Sequence, residues 1–320
     1  MIKKILCQLI CLLILRILVQ AESAEKITVG EVLKIGGIEK DLLYQWTDLC
    51  VDERNLIYVL DARDCSLKMF DSFGKLVKMA GRKGEGPGEF NFPIKIKSSG
   101  NRLFVSELYR PGLKVFTKDL SYVSSIPIAG PIADFYAKEG GIIVAAPRIS
   151  KELAALVEYD FEGREKMRIN YEEDGLADPV DQIKRFNMRM IDIAVDRRGD
   201  IIIVFEFIDR VIKLNEKGDL IFKKSFFGSR EAVFKNSLPQ NHVYLDVDTD
   251  QHNNIFILCG HYSSNPKRDV MVLSEKGDYL TTFTLPEQTH MIYIDHNNFL
   301  YARADEGMAI KKYRLTYGNN

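Results

Sequence analysis

One short pattern returns six times along the 320-residue chain. Asn or Gly stands three places after a turn-opening residue, and apolar residues stand five and seven places after it. The six settings are Asp52, Asn55, Ile57 and Val59; Ser98, Asn101, Leu103 and Val105; Ala137, Gly140, Ile142 and Val144; Asp196, Gly199, Ile201 and Ile203; Asp250, Asn253, Ile255 and Ile257; and Asp295, Asn298, Leu300 and Ala302. Asn and Gly tolerate positive φ, as a tight hairpin turn demands. The two apolar positions then share one face of the strand that follows.

A second turn closes an outer pair of strands in most units. Its glycine is Gly74, Gly163, Gly218 or Gly277, within FDSFG, YDFEG, LNEKG and LSEKG. The second unit has VFTKDLS there and lacks the glycine. The sixth runs out at IKKYRLTYGNN with no fourth strand, and the segment at 26–34, KITVGEVLK, supplies one. Units of four short strands, 39 to 59 residues apart, predict an all-β fold, a six-bladed β-propeller of four-stranded antiparallel blades. The N-terminal strand closes its ring. The alternative is a β-sandwich of two unrelated meanders, which would not require a sixfold turn pattern.

The first blade runs into the connector GRKGEGPGEFNFP, Gly81 to Pro93. Glycines at this density cannot hold a helix or a central strand. From Val51 onward the chain resembles six-bladed propellers with NHL-type repeats, especially the exported bacterial proteins known only as six-bladed β-propellers. GRKGEGPGEFNFP is similar to their Gly-x-Gly-Pro-Gly-Glu-Phe…Pro connector. The later connectors IAGPIADF, FNMRMIDIAVD and QNHVYLDVD lack its glycines. The resemblance implies a fold and a tendency to bind, and no single chemistry.

The start of the chain has the form of a targeting segment. Lys3 and Lys4 precede an apolar run from Ile5 to Val19, and Val19, Gln20 and Ala21 suit a cleavage site. Residues 1–21 are therefore expected to be a signal peptide, and 22–320 a single propeller domain. The rival, an uncleaved anchor, is short for a span and is interrupted by Arg16. Export to the periplasm, the cell surface or the medium is expected, with no transmembrane span in the mature chain. Cys50, Cys65 and Cys259 remain after cleavage, an odd number that makes no disulfide framework. A Cys50–Cys65 bridge is conceivable, and buried small apolar thiols are the alternative. A net charge of −1 gives no bulk field for nucleic acid, which excludes that partner.

In such a blade the connectors into the inner strand A and the B–C loops emerge on one face. That face carries the varied chemistry: Asp61 and Arg63; Glu107, Tyr109 and Arg110; Arg148; Glu206 and Arg210; His261 and Tyr262; and Arg303. An arginine, carboxylate and tyrosine rim around a concave mouth suits a small anionic or polyhydroxyl ligand, and a protein partner is the other possibility. Rim salt bridges are the bland account of the same arginines. Asp48, Asp192 and Asp246 open their inner strands and are joined by Asp134 near the channel mouth. They form a ring that either holds connector N–H groups or binds Ca²⁺, which wants six or more oxygens. DVDTD at Asp246 to Asp250 fails as an EF-hand, with Gln251 and Ile257 where Gly and Glu are required. The excursion NYEEDGLADPVDQIKRFNMRM, Asn170 to Met190, lies on the same face, with Tyr171, Phe186 and Met188 as its expected anchors.

No His-Glu-x-x-His, paired Cys-x-x-Cys or Gly-x-Ser-x-Gly motif occurs. GEGPGE lacks the Lys-Ser/Thr of a phosphate loop. The five histidines are scattered in sequence. The chain is therefore expected to be a non-catalytic ligand- or protein-binding propeller. Its rival is a Ca²⁺-type lactonase- or lyase-like enzyme, in which Asp48, Asp192, Asp246 and Glu107 hold a cation and His261 or Tyr109 is the base.

Overall fold

Five of the six patterned Asn and Gly residues close their hairpins at positive φ: Asn55 at 62°, Gly140 at 75°, Gly199 at 84°, Asn253 at 65° and Asn298 at 59°. In the second unit the positive φ falls one residue earlier than the pattern places it, on Gly100 at 53°. The strand ends at Ser99, which pairs with Arg102, so a shorter turn is left between them. The aspartates that align the units hold these turns. Oδ1 of Asp52, Asp196, Asp250 and Asp295 each accepts the N–H groups two and four residues on. An unpaired backbone donor in a tight turn is thereby satisfied locally.

The computed structural model describes residues 26–39, 42–108, 110–130, 132–145, 156–170 and 187–318. It contains six four-stranded sheets, each in the order A-B-C-D from the axis outward. Blade 1 is Trp46–Val51, Ile57–Asp61, Ser66–Phe70 and Leu76–Ala80. The inner strands of blades 2 to 6 are Pro93–Ser99, Asp134–Lys138, Ile191–Val195, Tyr244–Thr249 and Ile292–Ile294. The outermost strand of blade 6 is Lys26–Gly36, which pairs antiparallel with Ala309–Gly318 from Ile27 opposite Tyr317 to Ile35 opposite Ile310. It runs two residues beyond the segment 26–34 read from sequence, past a bulge between Glu31 and Leu33.

Apolar residues alternate along the strands and meet between blades rather than at the axis. Six core clusters fill the six interfaces, for example Tyr58, Leu67, Ile96 and Phe116 between blades 1 and 2, and Trp46, Val59, Tyr301 and Ile310 between blades 6 and 1. Trp46 also donates its indole N–H to the Ala309 carbonyl at 2.8 Å, which ties the first blade to the last. Cys50, Cys65 and Cys259 are free thiols and are buried. Met188 is buried in the cluster between blades 3 and 4. Its companions in the excursion, Tyr171 and Phe186, lie outside the described residues, as do residues 1–21. No described helix is long and apolar enough to cross a membrane.

Candidate functional site

Because the cores sit between blades, the axis is left to whatever the inner strands project toward it. Each strand turns two side chains there, two residues apart. The upper tier is Asp48, Lys95, Asp134, Asp192, Asp246 and Met291, and the lower is Cys50, Lys97, Tyr136, Ala194, Asp248 and Tyr293. Three upper carboxylates join neighbouring blades. Asp48 accepts the Ile96 N–H at 2.8 Å, Asp134 that of Ile193 at 3.1 Å, and Asp246 that of Ile292 at 2.8 Å. Each also accepts the N–H of the residue that follows it. Blade 1 is thus stapled to 2, 3 to 4, and 5 to 6.

Asp192 meets the Lys95 ammonium at 2.9 Å, and Lys95 and Lys97 both lie 3.8 Å from Asp134. Burial raises the Asp48, Asp192 and Asp246 carboxyls, and the two ammonium groups work against it. Two lysines therefore stand among the aspartates for which holding N–H groups and binding Ca²⁺ were the two readings. Most oxygens of these aspartates already accept N–H donors, which leaves fewer than the six or more that Ca²⁺ takes. Among the described residues no three His, Cys, Asp or Glu side chains converge as metal ligands do.

The rim residues read from sequence divide into two groups. Asp61 is fully buried; it accepts the Tyr44 and Gln45 N–H groups and the Lys68 ammonium at 2.9 Å. Glu107 is buried against Lys114 at 2.8 Å. Both carboxylates are spent on neighbouring loop N–H groups and a lysine, Asp61 on Tyr44, Gln45 and Lys68 and Glu107 on Asn91 and Lys114. Arg110 pairs with Glu85 at 2.7 Å, and Tyr262 donates to the Glu231 carbonyl while Arg230 lies over its ring. Arg210 packs near the Phe205 ring, and Arg63 is exposed. Tyr109 and Arg148 lie outside the described residues.

Glu206, His261 and Arg303 come together with three residues that the sequence did not single out: His242, Lys267 and His290. His242 lies in the connector into blade 5, His261 and Lys267 in its B–C loop, and His290 in the connector into blade 6. The His242 backbone N–H donates to His261 Nδ1 at 3.0 Å, and the two rings stack at 6.2 Å. Lys267 donates to His290 Nε2 at 3.0 Å, and Glu206 lies 3.9 Å from His242. Burial and then the neighbouring His261 push the His242 imidazole down to about 4. Burial and then Lys267 lower His290. Burial and then the Asp192 charge push Glu206 up to about 8. At neutral pH the arc therefore presents a protonated Glu206 carboxyl and a neutral His242 imidazole beside His261, Lys267, His290 and Arg303. One signal could have found it. Each histidine lies in a connector or B–C loop, so the blade register alone puts all three on one face.

No family model and no curated protein matches the chain. Its fold is similar to that of a DUF4221 family member from Bacteroides vulgatus, at 10% identity and a TM-score of 0.60 over 93% of this chain and 100% of that one. It is similar also to a protein from Bacteroides fragilis named a putative exported protein, at 12% identity and 0.61 over 92% and 96%. A virginiamycin B lyase from Staphylococcus aureus is similar at 9% identity and 0.53 over 90% and 89%. At these identities the likeness is one of fold.

Proposed function

We propose that this chain is an exported binding protein that takes a small anionic or polyhydroxyl ligand at the channel mouth over blades 4 to 6. Residues 1–21 are its signal peptide and 22–320 its one domain. The observation that carries the proposal is the arc of His242, His261, Lys267, His290 and Arg303 beside Glu206. Arginine and lysine N–H groups bond oxyanions strongly when partly desolvated. The Glu206 carboxyl, kept protonated by its surroundings, adds a donor where an ionised carboxylate would repel.

The test is a thermal-shift screen of the 22–320 protein with phosphate, citrate and glucuronate, repeated on a Lys267→Ala, Arg303→Ala double variant. A ligand at a hundred times its Kd adds about 2.7 kcal/mol. The expected result is a shift with at least one anion that the double variant loses. Equal shifts in both proteins would overturn the site, and no shift with any anion would leave a protein as the partner.

One feature favours a second reading, as a lyase- or lactonase-like enzyme without a bound Ca²⁺. Glu206 and His242, 3.9 Å apart, are displaced in opposite directions, which is the arrangement of a general acid beside a general base. Under that reading Glu206→Gln keeps anion binding and abolishes turnover of the bound compound.

A further inference from the structure

We propose a second binding site, among the outer strands of blades 4 and 5, for a small methylated ammonium ion that pairs with Asp269. A cavity of about 480 Å³ opens there. Blade 4 contributes Phe226 and Phe227, which follow its outermost strand, Leu220–Lys224. Blade 5 contributes Tyr262 from its B–C loop, Asp269 and Met271 from strand Asp269–Leu273, and Tyr279 from its outermost strand, Tyr279–Thr284. The space equals the share of about sixteen waters, enough for a headgroup on a short chain.

Asp269 is the one charged residue among those that line the cavity, and it is 4% exposed. Its oxygens accept the Asn265 N–H at 2.8 Å, the Asn265 amide at 3.1 Å and the Thr284 hydroxyl at 2.7 Å. All three donors are neutral, and among the described residues no cation pairs with this carboxylate. A carboxylate offers about four acceptor positions, so Oδ2, which takes the Asn265 N–H, keeps one open. A buried charge without a counterion is costly, and a cation in the cavity offsets that cost. The basic residues just before it in sequence are spent elsewhere. Arg268 donates to the Leu285 carbonyl at 2.8 Å, and Lys267 to His290. Burial pushes the Cys259 thiol in the cavity wall up to about 12, and the Asp269 and Asp209 charges add to the rise. The field at this wall is negative.

The aromatic side chains narrow the class. A cation is attracted to the face of an aromatic ring. The Tyr262 ring already holds one, the Arg230 guanidinium at 5.3 Å from its centre. Arg230 does not line the cavity, so Phe226, Phe227 and Tyr279 remain for a ligand. A primary ammonium must place three N–H donors. A fully methylated one has none to place, and its methyl groups pack on the rings and on the Met271 sulfur. The blade 4 wall is also built in advance. The Phe226, Phe227 and Ser229 N–H groups donate to the buried Asp209 carboxylate at 2.8, 2.6 and 2.9 Å. A wall already ordered loses little entropy on binding.

The test titrates the 22–320 protein with choline chloride, ethanolamine hydrochloride and dimethylbutanol, the uncharged choline analogue with carbon in place of nitrogen. Calorimetry and the aromatic NMR signals follow the binding. Saturable binding of choline at one per chain is expected, with dimethylbutanol and ethanolamine each about tenfold weaker. Asp269→Asn keeps the size of the side chain and should weaken choline about tenfold or more. If that variant does not fold, Phe226→Leu with Tyr279→Leu carries the test, because Tyr279 is 57% exposed and leucine keeps an apolar wall. This pair should weaken choline and leave dimethylbutanol unchanged. The Lys267→Ala, Arg303→Ala variant should bind choline no more weakly than wild type, which separates this site from the anion site at the channel mouth. Absence of saturable choline binding, equal affinity for dimethylbutanol, or tighter binding of ethanolamine would each overturn the proposal. So would full choline affinity in folded Asp269→Asn or in the ring variant, or loss of choline binding in the Lys267→Ala, Arg303→Ala variant.

Discussion

Asn55, Asn253 and Asn298 do two jobs that glycine at the same turn cannot combine. Each adopts a positive φ, and each side-chain oxygen accepts a hydrogen bond from the preceding blade: Asn55 from Asn297, Asn253 from Arg197 and Asn298 from Gln251. Replacing Asn253 separates the two roles. Asn253→Gly keeps the backbone freedom and loses the bond, at a cost of about 0.5–1.5 kcal/mol. Asn253→Ala loses the bond and adds left-handed strain of about 1–2 kcal/mol. Urea unfolding should therefore rank wild type above Gly and Gly above Ala. An Ala variant as stable as the Gly variant would show that the turn is not held at positive φ. The turn was legible from the residue type alone, because the φ preference is local. The bond to the next blade was not, since its partner lies 56 residues away for Asn253 and 242 for Asn55. The same limit separates the upper aspartates. Their use as holders of N–H groups was one of two readings of the sequence, and only the blade-to-blade contacts decide how Asp48, Asp134 and Asp246 spend their oxygens.

At the scale of elements, the strand at the start of the described chain has the most leverage. Lys26–Gly36 is joined to the rest of blade 6 through Ala309–Gly318, and it buries Ile27 and Ile35. Without it the Ala309–Gly318 edge is left unpaired, and the core clusters on both sides of blade 6 lose members. An unpaired strand beside exposed apolar residues is a template for association. A chain beginning at Gly37 should lose cooperative unfolding or run as an aggregate, and adding a peptide of residues 26–36 should restore a monomeric species by size-exclusion chromatography. A truncated chain that stays monomeric with an unchanged melt would contradict the closure. This element was legible because the sixth unit ends one strand short while apolar alternation recurs at 26–34. The hairpin of Phe234–Lys235 with Leu238–Pro239 between blades 4 and 5 was not legible. Strands of two residues carry no periodicity to detect.

The whole ring is organised around an axis with more carboxylates than cations. The upper tier sets four aspartates against Lys95, whose bond to Asp192 at 2.9 Å and contact with Asp134 at 3.8 Å work against their burial together with Lys97 from the tier below. The sequence displayed the aspartates and suggested a metal ion to neutralise them. It could not display the internal counterion, because Lys95 and Asp192 are 97 residues apart and meet only across the closed ring. If Lys95 is that counterion, Lys95→Met should cost about 3–5 kcal/mol at neutral pH, the range for a buried pair that loses one partner. The pH dependence follows from the same balance. Burial already raises Asp192, and Lys95 opposes the rise. Removing Lys95 raises the folded pKa further, so the folded variant binds more protons than its unfolded chain across a wider range. Stability then falls as pH increases. The deficit of Lys95→Met relative to wild type should be smaller at pH 5 than at pH 8, measured by urea unfolding at both. A deficit independent of pH would mean that Lys95 contributes by packing alone and that the charge of the upper tier is balanced elsewhere.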